Sequence, residues 1–509
     1  MKKSVLALSV AAAIGGVASA PAAAQSSDRL VFNPAGVGHI LIVPYFSTQS
    51  GNATLLNLYN TDTVKGKAVK IRFRGASNSD DLYDFQVFLS PGDVWTADVR
   101  QASSGKSRLA TSDRSCTVPA NINGEFITSR LDQSLSAAAL ADETREGYVE
   151  ILNMGDIPSV SGTTTLWYAT KHATSGTAAG TAPCTRSILD NLSISDPRLD
   201  APTTGLMANW TIINVPNTTV WSGEGPAIEA RSSTGTPIAG ANVYWPQQAR
   251  AVTVSPISTR TADPLFVGGY IEPQEYDLPD LSTPYIPGAC AANCAHVQAN
   301  ALSASMAVTV VAGEYLSSPT IGASTDWVIS KPTRRYYVAV DYEGETAADR
   351  LVTNYDDNSQ PLAYYYREAN TFMGSTIGAG KPFQACTQLT GASWFDREEQ
   401  QPAPGGPVVS PGPREEAPYL CGEVSVVGVN SPTSPLGASL ARVNVTLPTG
   451  FRDGWGSVTA LNTFGSVNLG LPMLVTQFSK ATNPQVSAGV SGTFGAAYTA
   501  RTLKRGTVP

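Results

Sequence analysis

The sequence predicts a mainly β protein, built as two or three antiparallel sandwich-like units with few short helices and stapled by disulfides. Three observations carry that prediction. Short β-branched and aromatic runs recur at about ten-residue spacing through the N-terminal third, the rhythm of a sandwich or barrel. Within one run apolar and charged residues alternate strictly. The composition combines 45 Gly and 35 Pro with only 15% charged residues and 42% hydrophobic ones. That is well below the roughly 25% charge of average chains, yet apolar enough for a core.

The first predicted strand is Ile40 to Phe46, closed by the turn-forming Ser50-Gly51-Asn52. Ala53 to Tyr59 follows and ends at Asn60-Thr61-Asp62. In the third run Val69, Ile71 and Phe73 alternate with Lys70, Arg72 and Arg74, the period of a strand with one buried and one wet face. The basic residues read as the charged face of an edge strand, where they block unwanted pairing, or else as a grip for an acidic polymer. Phe85 to Leu89 and Val94 to Val99 flank Pro91-Gly92, a type II turn pair whose twist calls for a connection wider than a two-residue hairpin. Helical patterning is confined to Leu131 to Glu146 and Ala295 to Ala307, and strand character returns at Trp327 to Ser330 and Tyr336 to Asp341.

These segments divide the chain into a leader (1–24), an N-terminal sandwich (25–160), an irregular β-rich middle (161–330) and a C-terminal sandwich (331–509). The last contains a Pro-rich loop at 401–418, which cannot form regular structure. An internal echo, Arg145-Glu146-Gly147-Tyr148 and Arg452-Asp453-Gly454-Trp455, each ahead of an apolar run, suggests a degenerate duplication.

The leader has the parts of an export signal: Lys2 and Lys3, an apolar stretch from Val5 to Val17, and Ala22-Ala23-Ala24 before Gln25. Ala20 is the alternative cleavage point. No later run approaches the ~18 apolar residues of a membrane helix. The expected destination is the cell surface or the extracellular space, with the periplasm as the alternative. In such compartments an even set of cysteines reads as disulfides. Cys116, Cys184, Cys290, Cys294, Cys386 and Cys421 allow 15 connectivities. The sequential one, 116–184, 290–294 and 386–421, is preferred because its last bridge staples the Pro-rich loop.

The net charge of −7 argues against nucleic acid. No catalytic constellation emerges. Gly374 to Lys381 has Ser375 where a phosphate loop needs its first glycine, and Pro382 follows the lysine. His39, His172 and His296 lie far apart, and nothing in the sequence selects a partner for any of them. Cys290, Cys294 and His296 would suit zinc or copper if reduced, and a short disulfide loop if oxidised. No cofactor is expected beyond a structural Ca²⁺, for which Asp80, Asp81 and Asp84 offer closely spaced hard ligands. Trp394 and Tyr365 are the candidates for stacking on a glycan, Trp394 because Asp396, Glu398 and Glu399 follow it.

Four strings, Asp84 to Val99, Arg145 to Ile151, Thr325 to Asp341 and Leu471 to Gly495, together resemble an uncharacterised family of exported cell-surface proteins of Gram-negative bacteria. The resemblance spans most of the chain and implies an envelope address without an activity. The functional expectation is a non-catalytic structural or surface protein, such as a surface-layer, matrix or filament component, whose partners are further copies or other envelope proteins. The alternative is a carbohydrate-binding module or a glycan-active enzyme with a polysaccharide partner.

Overall fold

A computed structural model describes residues 28–176, 179–247, 278–288, 294–342, 344–353, 364, 373–374, 382–388, 390–401, 419–431, 433–440, 442–464, 467–487 and 490–503. The candidate leader, Cys290, Tyr365, the Pro-rich loop and most of Gly374 to Lys381 lie outside these residues.

The architecture is mainly antiparallel β, as expected. The first thirteen strands are β1 (Arg29–Asn33), β2 (Ile40–Ser47), β3 (Asn52–Asn60), β4 (Gly66–Gly75), β5 (Asp81–Leu89), β6 (Val94–Gln101), β7 (Ser107–Ala110), β8 (Cys116–Val118), β9 (Gly124–Glu125), β10 (Glu146–Ile157), β11 (Leu206–Asn214), β12 (Thr219–Glu224) and β13 (Ala227–Arg231). They form two sheets, ordered β1-β13-β2-β10-β4-β5-β8 and β12-β11-β3-β6-β7-β9. Strands β11 and β3 alternate buried and half-buried residues along their lengths, the mark of a sheet with one face in the core.

The later strands are β14 (Ala307–Val308), β15 (Val310–Leu316), β16 (Ser324–Ser330), β17 (Val338–Val340), β18 (Leu351–Thr353), β19 (Met373–Gly374), β20 (Ala385–Gln388), β21 (Thr390–Asp396), β22 (Tyr419–Cys421), β23 (Val424–Val429), β24 (Arg442–Val445), β25 (Asp453–Thr459), β26 (Leu461–Phe464), β27 (Val467–Pro472), β28 (Leu474–Ser487), β29 (Val490–Thr499) and β30 (Arg501–Leu503). A five-stranded sheet, β24-β23-β16-β28-β29, faces a four-stranded one, β21-β25-β15-β30, and three smaller sheets complete this half. Trp327 and Trp394 meet between the two larger sheets, with ring centroids 5.4 Å apart. Gly456 is required there, because a Cβ at that position would overlap the Trp394 ring.

The sheets divide the chain at other places than 160 and 330. Strands β11 to β13, from the middle region, complete both sheets of the first sandwich, while β14 to β16 already belong to the second. The echo segments begin β10 and β25, each interior to its sheet, although the sheets differ in strand number. The β5–β6 connection is four residues long, with Gly92 at φ +71°, and its two strands lie in different sheets. It is therefore an arch across the sandwich and no hairpin. Helix over 131–146 shrinks to α1 (Ala137–Glu143), N-capped by Ser136. Two more short helices, α2 (Leu166–Thr170) and α3 (Arg186–Leu189), lie early in the middle region; α4 (Cys294–Met306) answers the second helical expectation, and α5 (Ala347–Arg350) follows.

The two halves share one core. The Phe478 ring of β28 sits against Tyr45, Trp210 and Trp221 of the first sandwich, with centroids 6.0, 5.6 and 6.4 Å away. The Trp221 indole donates to the Ser479 carbonyl at 2.9 Å, and Asn52 donates to the Leu436 carbonyl at 2.7 Å.

Disulfides join Cys116 to Cys184 and Cys386 to Cys421, spanning 68 and 35 residues. Cys294 is also disulfide-bonded, which removes it as a thiolate metal ligand. The 116–184 bridge ties β8 to the segment after α2. Replacing both cysteines by serine is expected to cost about 2–5 kcal/mol in urea unfolding, with the sheets retained in the far-ultraviolet circular dichroism spectrum.

Candidate functional site

Strand β4 is the element the sequence places wrongly. It is interior to its sheet, between β10 and β5, and Lys70, Arg72 and Arg74 are as buried as Val69, Ile71 and Phe73 on the opposite face. The alternation is real, but the polar face is dry. Segments from elsewhere in the chain cover it, so its charges must find partners inside.

Those partners come from neighbouring strands and from the cover. The Arg74 guanidinium lies 3.1 Å from Glu150 of β10 and 3.6 Å from Asp280 of the covering segment. Arg72 faces Asp81 at 3.6 Å, and Lys70 pairs with Asp84 while donating to Gln247 at 2.8 Å. Lys67 meets Asp156 at 2.8 Å with both side chains fully enclosed. From the second half, Arg335 donates to the Ser79 carbonyl, the Phe383 carbonyl accepts from Asn78, and Tyr336 donates to Asp280. Arg334 reaches Glu423 at 3.3 Å, and the Glu423 amide in turn donates to the Ala76 carbonyl. Gly147 allows β10 to approach here, since a Cβ would collide with the Arg74 carbonyl oxygen.

Burial governs the protonation of this band. It pushes Glu143 up to about 8, with repulsion from Asp80, Asp142 and Glu146 adding to it against the Ser77 hydrogen bond. It pushes Glu146 up to about 7, and Asp80 up to about 6 despite the Tyr342 hydroxyl. Burial also raises Asp280, but Arg74, Arg72 and the Ser282 hydroxyl outweigh it and hold that carboxyl below its usual range. The Lys331 ammonium is driven well down by burial and by Arg334.

The three calcium candidates do not converge as a ligand set. Asp80 accepts from the Tyr342 hydroxyl at 2.5 Å, Asp81 faces Arg72, and Asp84 is held by Lys70 and Gln247. Among the described residues no three His, Cys, Asp or Glu side chains group as a metal site. Trp394 is 4% exposed, enclosed by Tyr315 and Trp327. It has no ring face open to a sugar.

The ring that faces solvent is across the strand pair. Phe395 and Trp455 are register partners of β21 and β25, stacked at 4.4 Å with 9° between planes, and Trp455 is 46% exposed. Ser393, Ser457, Ala312 and Arg501 continue that outer face one register row on, and Leu503 stands exposed at 62%. Sequence reading missed this pair because 60 residues separate its members; a tryptophan alternating with Gly454 and Gly456 was the available sign.

The histidines separate clearly. His39 is interior, packed edge-on against Tyr285 and accepting from the Ala230 amide at 3.2 Å; burial lowers it to about 4, so it is neutral. His296 is buried on α4. His172 Nδ1 lies 3.2 Å from Asp93 and 3.2 Å from the Ser90 hydroxyl. Both contacts are to one nitrogen, whereas a serine–histidine–aspartate relay needs the hydroxyl at the other. Comparison with protein-family models, curated proteins and solved structures finds no match.

The acidic members of the band predict an inverted pH dependence. Glu143 titrates at about 8 folded against 4.5 in an ordinary setting, so the native state keeps a proton the unfolded chain releases. Its contribution is present below about pH 4.5 and is lost as pH rises through about 8. Glu143→Gln is expected to match the parent in urea unfolding near the lower limit and to exceed it by a few kcal/mol above the upper one.

Proposed function

We propose that this chain is a non-catalytic structural or surface protein of the cell envelope or extracellular space, whose C-terminal sandwich associates with further copies through the outer face of β21-β25-β15-β30. The open Phe395–Trp455 face carries this reading. The face sets an exposed tryptophan among Ser393, Ser457 and Ala312, with Glu314 beside it and Arg501 one row on, an aromatic centre with a polar rim that suits contact with a neighbour. Two features support it. Part of the chain's charge, including Lys70, Arg72, Arg74, Glu150, Asp280 and Arg334, is buried in the band beneath the second half. The disulfides favour an oxidising compartment, and the leader at 1–24 has the composition of an export signal. No helix among the described residues is long and apolar enough to cross a membrane.

The stacked Phe395–Trp455 pair favours a second reading, a carbohydrate-directed module, because a flat exposed ring pair can stack against a pyranose. One variant separates the two. The oxidised chain is expected to form concentration-dependent sheets or fibres by sedimentation and electron microscopy, and Trp455→Glu to suppress them. A monomer at every concentration, with neutral-glycan retention that Trp455→Glu abolishes, would overturn self-association in favour of the second reading. A monomer without glycan retention would overturn both.

A further inference from the structure

On the first sandwich, far along the chain from Trp455, helix α2 leads into a pocket of about 580 Å³ that opens to solvent on one side. Its lining includes Trp167, Tyr168, Lys171, His172, Thr174 and Thr181. Three local devices hold that wall in place. Thr165 caps α2 by accepting from the Tyr168 amide at 3.1 Å. The Cys184 amide donates to the Ala169 carbonyl at 2.8 Å, so the Cys116–Cys184 bridge anchors the end of the helix to β8. Asp93 lies 3.2 Å from His172 Nδ1, which also meets the Ser90 hydroxyl at 3.2 Å, and is itself fixed by the amides of Ser90 and Val94, at 3.0 and 2.9 Å. With the Ser90 hydroxyl and Asp93 both at Nδ1, Nε2 is the nitrogen turned away from them.

The chemistry of the lining is specific. Lys171 has no ion-pair partner among the described residues, in a chain that pairs most of its buried cations. Tyr168 is 43% exposed, and Trp167, packed against the core, lines the same pocket as Lys171. Thr174 and Thr181 supply hydroxyls to the lining, the second accepting from Arg114 at 3.3 Å. The Lys171 ammonium would neutralise a carboxylate, His172 Nε2 would accept from a sugar hydroxyl, the Tyr168 ring would stack on a pyranose, and the threonines would meet its hydroxyls. The volume accommodates more than one sugar ring, and the open side lets a chain continue.

We propose that this pocket binds a carboxylate-bearing saccharide, a uronic acid unit within an acidic polysaccharide. The site is separate from the Phe395–Trp455 face and stands independently of the self-association reading.

The test titrates the full oxidised chain with digalacturonate by calorimetry and Trp167-sensitive fluorescence, with digalactose-type neutral disaccharide and benzoate as controls. Digalacturonate is expected to bind at least tenfold more tightly than either control. Lys171→Ala and Tyr168→Ala, both at solvent-facing positions, are each expected to weaken it at least tenfold, while Trp455→Ala leaves it unchanged. Absence of binding, equal affinity for the neutral sugar or for benzoate, or indifference to Lys171→Ala would each overturn the proposal. Loss of binding in Trp455→Ala would overturn it as well, by moving the sugar to the other face.

Discussion

The contact on which the structure depends is the Arg74 guanidinium held between Glu150 and Asp280. Its three members come from β4, from the neighbouring β10, and from a segment more than a hundred residues further on. A cationic stripe on an interior strand is tolerable only when covered by groups that complete its hydrogen bonds. The cover therefore has one acceptable position. An apolar interface of equal area would hold as firmly, but it would tolerate sliding; a row of charges at two-residue spacing does not. The band fixes register between the halves, and the aromatic cluster around Phe478 supplies the apolar burial beside it.

This arrangement has a consequence for the surface. The chain is poor in charge to begin with, and much of that charge is enclosed. Among the described residues exposed aromatics remain outside, Trp455 at 46% exposure, stacked on Phe395, and Phe494 at 66%. The three short helices of the first half cap the sandwich and carry loops, among them the one holding Lys171 and His172.

Much of the fold was legible because period-two patterning reports directly on strands. Ile40 to Ser47, Asn52 to Asn60 and Val69 to Phe73 fall where alternation and turn residues place them. Two cysteine pairs were legible from compartment and spacing. The environment of the charged face of β4 was not, since alternation states that two faces differ and leaves open what covers the second. Domain limits failed for a related reason: β11 to β13 join sheets begun more than a hundred residues earlier, a pairing that local sequence does not record. The site features were the least legible. Trp394 and Phe395 are neighbours in sequence, and strand parity alone decides which one faces the core; Asp93 and His172 meet only through the fold.

Scanning calorimetry of the oxidised chain and of Arg74→Met tests most directly whether the buried ionic band joins the two halves into one cooperative unit. The parent is expected to show a single transition, with calorimetric and van't Hoff enthalpies in agreement, and the variant a transition that falls by several degrees and splits. Two well-separated transitions in the parent, or an Arg74→Met variant that melts like it, would contradict it.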